Sequence, residues 1–156
     1  MSRRSITSFI AMLGLVAATV VSADIPQTTG ARPDRLEGVW DSVVTLRDCG
    51  TQSELQSFRA LNVFERDGAL VATSTVAPTP SVGRWERLGP ARYRASGRFL
   101  RYGAGGVFEG MQQVSRTIQM DASGDSFTSV VEIEVFDVFD VVIGQRCATE
   151  TARRIY

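Results

Sequence analysis

From Leu36 onward, apolar and polar side chains alternate with a period of two, and short clusters of Gly, Pro, Asp and Ser separate the alternating runs. Successive side chains of a strand point to opposite faces, so such runs fit half-buried β-strands. No stretch carries the 3.6-residue period of a helix. The pattern predicts eight strands, at about 39–47, 57–66, 69–76, 82–88, 91–102, 107–120, 125–136 and 141–153. Asp67-Gly68 supplies the positive φ of a tight hairpin. Pro78 and Pro80, Gly89-Pro90, Gly103-Ala104-Gly105-Gly106 and Asp121-Ala122-Ser123-Gly124 mark further turns. Every link is short, which joins antiparallel neighbours into a meander. Closing such a sheet on itself removes its two unpaired edges. The expected fold is therefore all-β, an eight-stranded antiparallel up-and-down barrel, with a β-sandwich as the alternative.

Hairpin geometry extends this to faces. If 103–106 is a four-residue loop, Tyr102 faces Val107, and Phe99 opposes Gly110. If 121–124 is another, Met120 faces Asp125 and Ile118 opposes Phe127. One face then collects Tyr93, Ala95, Phe99, Phe108, Val114, Ile118, Met120, Phe127, Val131, Ile133 and Val135, and is the expected interior. Arg92, Arg94, Arg98, Glu132 and Glu134 fall on the opposite, solvated face.

Residues 1–23 read as an export signal. Arg3 and Arg4 form a charged start, Phe9 to Val21 is apolar, and Val21-Ser22-Ala23 places small side chains at a cleavage site. Thirteen apolar residues are too few to span a bilayer, which takes about 20, so no membrane span is expected after signal removal. Ser2-Arg3-Arg4-Ser5-Ile6 leaves general and twin-arginine export both open. Residues 24–35, with Pro26, Gly30 and Pro33, read as a flexible leader, and 36–156 as a single barrel domain. Fifteen arginines then face 17 acids, a net charge of −2, which argues against a nucleic-acid partner. The expected location is periplasmic or secreted, in a bacterium.

The chain has neither His nor Lys. That removes imidazole bases, His metal ligands and Schiff-base chemistry. No cofactor motif, no metal-ligand cluster and no Gly-x-Ser-x-Gly is present, and no catalytic residue can be named. Glu109, Tyr93 and Asp41 are the kinds of group an acid or base could use. The two cysteines, Cys49 and Cys147, form an even count in an oxidising compartment, which suggests one disulfide tying the first strand to the last.

At Gly38-Val39-Trp40 the chain resembles the lipocalin-like (calycin) barrels, which pair a Gly-x-Trp in the first strand with an Arg in the last, here Arg153 or Arg154. The resemblance implies structural roles for Gly38, Trp40 and one of these arginines, the Trp plugging the closed end and the Arg packing across the indole. The stretch Leu36 to Arg154 is also similar to a group of exported bacterial proteins. They share its Leu-Glu-Gly-x-Trp start, a Cys after the first strand, Gly83-Arg84-Trp85 and the Cys-Ala-Thr-Glu-Thr-Ala ending. The chain departs from true lipocalins in lacking a helix before the last strand and a Thr-Asp-Tyr motif.

The expected interior also holds polar side chains: Arg101, Gln112 and Arg116, with Asn62 from the alternation Phe58-Ala60-Asn62-Phe64 and Tyr93 beside them. A buried charge must be partnered or wet. Three readings are open: a pocket whose arginines hold an anion, an ion pair with an inward acid, or arginines reaching solvent at the barrel mouth. The run Arg84, Arg87, Arg92, Arg94, Arg98 and Arg101 reads as a solvated face balanced by acids. An outer-membrane barrel is disfavoured because positions alternating back from Tyr156 include Arg154 and Glu150, which would face lipid. The function these features favour is non-enzymatic binding of a small apolar or amphipathic ligand. The alternatives are a small isomerase or cyclase, or a structural module of the envelope with a filled barrel; the oligomeric state stays open.

Overall fold

The computed structural model describes residues 35–155, so the expected export signal, nearly all of the leader and Tyr156 lie outside the described residues. The alternating runs pair into eight strands: β1 (Gly38–Arg47), β2 (Glu54–Phe64), β3 (Ala69–Ser74), β4 (Ser81–Gly89), β5 (Arg92–Tyr102), β6 (Phe108–Met120), β7 (Ser126–Phe136) and β8 (Val142–Arg154). Each pairs antiparallel with the next, and β8 pairs back onto β1, closing the barrel. Cys49 and Cys147 form a disulfide just beyond the pairing of Arg47 with Cys147, at the end of the barrel where β1 turns into β2.

Two hairpins differ from the expected register by two residues. The β5–β6 loop closes with Gly103 N–H donating to the Val107 carbonyl over a 3-10 turn at Ala104–Gly106, so Phe99 opposes Gln112, not Gly110. The β6–β7 loop closes from Asp121 N–H to the Ser126 carbonyl, so Met120 opposes Phe127. Both are five-residue loops. An even slip leaves every side chain on its own face, so most of the expected interior is the observed one. Phe108 is the exception. Arg101 pairs with Gly110 and Tyr102 with Phe108, which leaves Glu109 bulged and turns Phe108 outward to 42% exposure. Gly110 lies at φ 107°, where an added Cβ would stand 2.2 Å from the Phe136 carbonyl, so the bulge needs glycine.

The β6–β7 loop is organised by Asp121. Its carboxylate accepts from Ser123 Oγ at 2.9 Å and from Gly124 N–H at 2.8 Å. These bonds, the Ser123 hydroxyl foremost, hold its pKa at about 2 against an ordinary 3.8. A depressed pKa stabilises the fold above pH 3.8, and that contribution disappears as pH falls through about 2. Asp121→Asn should therefore be less stable than wild type at pH 6, with the gap closing as pH falls to 2, as read from urea unfolding across that range.

One end of the barrel is packed solid. Leu36, Trp40, Phe64, Leu70, Trp85, Tyr93, Ile118, Met120 and Phe127 form a continuous buried cluster there. Trp40 is fully buried, donates from Nε1 to the Leu36 carbonyl at 2.9 Å and lies 4.9 Å from the Phe127 ring. Arg154 stacks 4.3 Å from the Trp40 ring and donates to the carbonyls of Glu37, Gly124 and Arg35. Arg153 points outward and is exposed. Gly38, at φ 130°, sets the entry into β1. Arg154→Ala should cost about 2–3 kcal/mol, from the lost cation–π contact and the charged hydrogen bonds. Arg153→Ala should cost under about 0.5 kcal/mol, and chemical denaturation separates the two.

Arg154, Ala152, Glu150 and Ala148 all face the barrel interior. Contrary to the sequence expectation, they are not the positions that would meet lipid if this barrel lay in a membrane, and they do not count against a membrane barrel. The outer wall carries its own charges: the Arg59–Asp41 pair, the Arg94–Glu86 pair at 3.3 Å, and Glu132 and Glu134 on β7. Charges at mid-wall cost about 2–4 kcal/mol each in a bilayer for Arg and somewhat less for acids. This wall therefore disfavours a lipid-embedded barrel.

Candidate functional site

The other half of the barrel is hollow. Val44, Ala60, Val131, Ile133 and Ala148 form a second buried cluster, with Leu46, Phe58 and Val114 packed against it. Together with Phe99 and the 73–79 segment they enclose a cavity of about 310 Å³. That lies at the small end of the range for ligand pockets, about 300–1,000 Å³.

A polar layer separates this cavity from the packed end. Arg116 Nη1 donates to Asn62 Oδ1 at 2.6 Å and lies 3.7 Å from Glu150 Oε1. Asn62 Nδ2 donates to Ser42 Oγ at 2.8 Å and to Glu150 Oε1 at 2.9 Å. Ser129 Oγ donates to Glu150 Oε2 at 2.8 Å. The side chains of Arg116 and Glu150 are 8% and 0% exposed, so two charges leave water together, and the surrounding hydrogen bonds offset that cost. Five strands supply the layer: Ser42 from β1, Asn62 from β2, Arg116 from β6, Ser129 from β7 and Glu150 from β8 converge because period-two alternation aims each of them inward.

The mouth is polar too. Arg101 lies 3.5 Å from Glu109 Oε2 and donates from Nη1 to the carbonyls of Glu109 and Phe136. Gln56, Gln112 and Arg146 complete that rim. In the β1–β2 turn, the Asp48 carboxyl is held below its ordinary value by hydrogen bonds from Thr51 and Gly50, which stiffens the turn that carries Cys49.

No family model, curated protein or solved structure matches the chain.

The residues picked from sequence divide as follows. Arg101, Gln112 and Arg116 line the cavity. Asn62 lies beneath Arg116 in the floor. Tyr93 does not line the cavity: it is fully buried in the packed end, 5.9 Å from the Trp85 ring. Inward alternation is common to both ends of a barrel, so it could not tell one half from the other. Two residues went unrecognised. Glu150 is the inward acid that meets Arg116; the sequence leaves its face open between Arg153 and Arg154, and the stacking of Arg154 on Trp40 fixes the parity of β8 and turns Glu150 in. Arg146 follows by the same parity.

The three acid–base candidates do not meet. Glu109 is at the mouth, Tyr93 in the packed end, and Asp41 on the outer wall against Arg59. The arginine run divides as well: Arg84, Arg87, Arg92, Arg94 and Arg98 are exposed, and of the run Arg101 alone lines the cavity.

Proposed function

We propose that this protein is exported and binds a small apolar or amphipathic ligand in the open half of its barrel, without chemical turnover. The cavity carries this reading: about 310 Å³ walled by apolar side chains, with a few polar groups at its floor and mouth. Such a lining gains from burying an apolar body while the polar groups fix its orientation. The disulfide and the N-terminal charged–apolar–small pattern support export into an oxidising compartment. The Gly38-Val39-Trp40 start and the arginine stacked on Trp40 support kinship with the lipocalin-like barrels.

The test is native mass spectrometry of protein exported to a bacterial periplasm and purified gently. The reading expects a small-molecule adduct in the native spectrum that is lost on denaturation. A bare native mass, together with no uptake of added apolar or amphipathic probes, counts against it.

A further inference from the structure

The three arginines lining the cavity differ in how their charge is met. Arg116, at the floor, is matched by Glu150 and hydrogen-bonded to Asn62. Arg101, at the mouth, is matched by Glu109 and also donates to two backbone carbonyls. Arg146 stands on the inward face of β8 opposite Ile133, exposed at the mouth. Among the described residues it makes no hydrogen bond and no ion pair. The acids lining the cavity are Glu109 and Glu150, so one positive charge is left over, and it sits at the entrance.

Arg146 and Glu150 lie four positions apart on β8, about 13 Å of strand. The wall between them is apolar, with Val44, Val131 and Ala148 deep and Val114 and Ile133 above. An anion pushed to the floor would meet the Glu150 carboxylate and would have to take Arg116 from its partners. An anion at the mouth keeps part of its hydration and meets a free guanidinium.

We infer that the ligand is an anionic amphiphile with a short apolar tail, seated tail-down, its headgroup at Arg146 at the mouth that Arg101 also lines, and not at Arg116. This rests on the binding function proposed above.

Three probes with one tail test it: octanoate, 1-octanol and octylammonium, titrated calorimetrically at neutral pH. Octanoate should bind at least tenfold more tightly than octanol, and octylammonium most weakly. Arg146→Gln should bring octanoate to the affinity of octanol and leave octanol unchanged, whereas Arg146→Lys should keep most of the preference. Glu109→Gln should strengthen octanoate, because it releases Arg101. Equal binding of octanoate and octanol, or a preference that survives Arg146→Gln, overturns the headgroup assignment and leaves the binding function standing. Failure of all three probes to bind overturns both.

Discussion

Replacing Arg116 with Ala will destabilise the fold by about 3–5 kcal/mol, the cost of leaving a buried charge without its partner. Glu150 is fully buried, and its remaining contacts are the neutral donors Asn62 and Ser129. Asn62 Oδ1 loses its donor in the same variant. The pair is coupled, so the double variant Arg116→Met/Glu150→Gln should recover about 2 kcal/mol or more of that loss, because it removes both charges and keeps polar atoms facing Asn62 and Ser129. Urea unfolding of the wild type, the two single variants and the double variant measures the coupling directly. Additive losses would show that the floor is not a charge-paired layer.

The second large effect is loss of the disulfide. Cys49 and Cys147 are 98 residues apart, so the bond closes a loop spanning most of the barrel. In the chain-entropy model a loop of that size is worth about 4–5 kcal/mol, acting mainly on the unfolded chain. The Cys49→Ser/Cys147→Ser variant should unfold at a correspondingly lower urea concentration. Wild type in excess reductant should match it. Because β1 and β8 are also joined by a continuous backbone ladder from Trp40–Arg154 to Arg47–Cys147, the barrel should stay closed in the variant. Unchanged far-UV circular dichroism before the transition checks that.

The strands and the closed sheet were legible because alternation and turn residues are local properties. Asp67-Gly68 sits between β2 and β3, and Gly89-Pro90 ends β4 and opens its turn into β5, as their chemistry requires. Register was legible only to within two residues. Whether Val107 and Asp125 belong to a loop or a strand is decided by bonds such as Gly103 N–H to the Val107 carbonyl, which the one-dimensional pattern does not contain. Phe108 shows the limit most clearly, since a single bulged residue, Glu109, reversed its face. For the site, the sequence yielded inward polar residues but not the height of each in the barrel. Arg116 and Tyr93 both point inward, yet one floors the cavity and the other is sealed in the packed end. Glu150 was hidden because its parity depends on which of two adjacent arginines meets Trp40, and the structure gives Arg154.

The central claim is a barrel filled at one end and open to a small ligand at the other. Methyl-resolved NMR of the folded protein titrated with octanoate and with 1-octanol tests it most directly. The account predicts shifts confined to the methyls lining the cavity, among them Val44, Leu46, Val76, Val114, Val131 and Ile133, with Leu36, Leu70, Ile118 and Met120 silent. Shifts spread over outward side chains such as Val43, Leu61 and Val130, or no shifts at all, would contradict it.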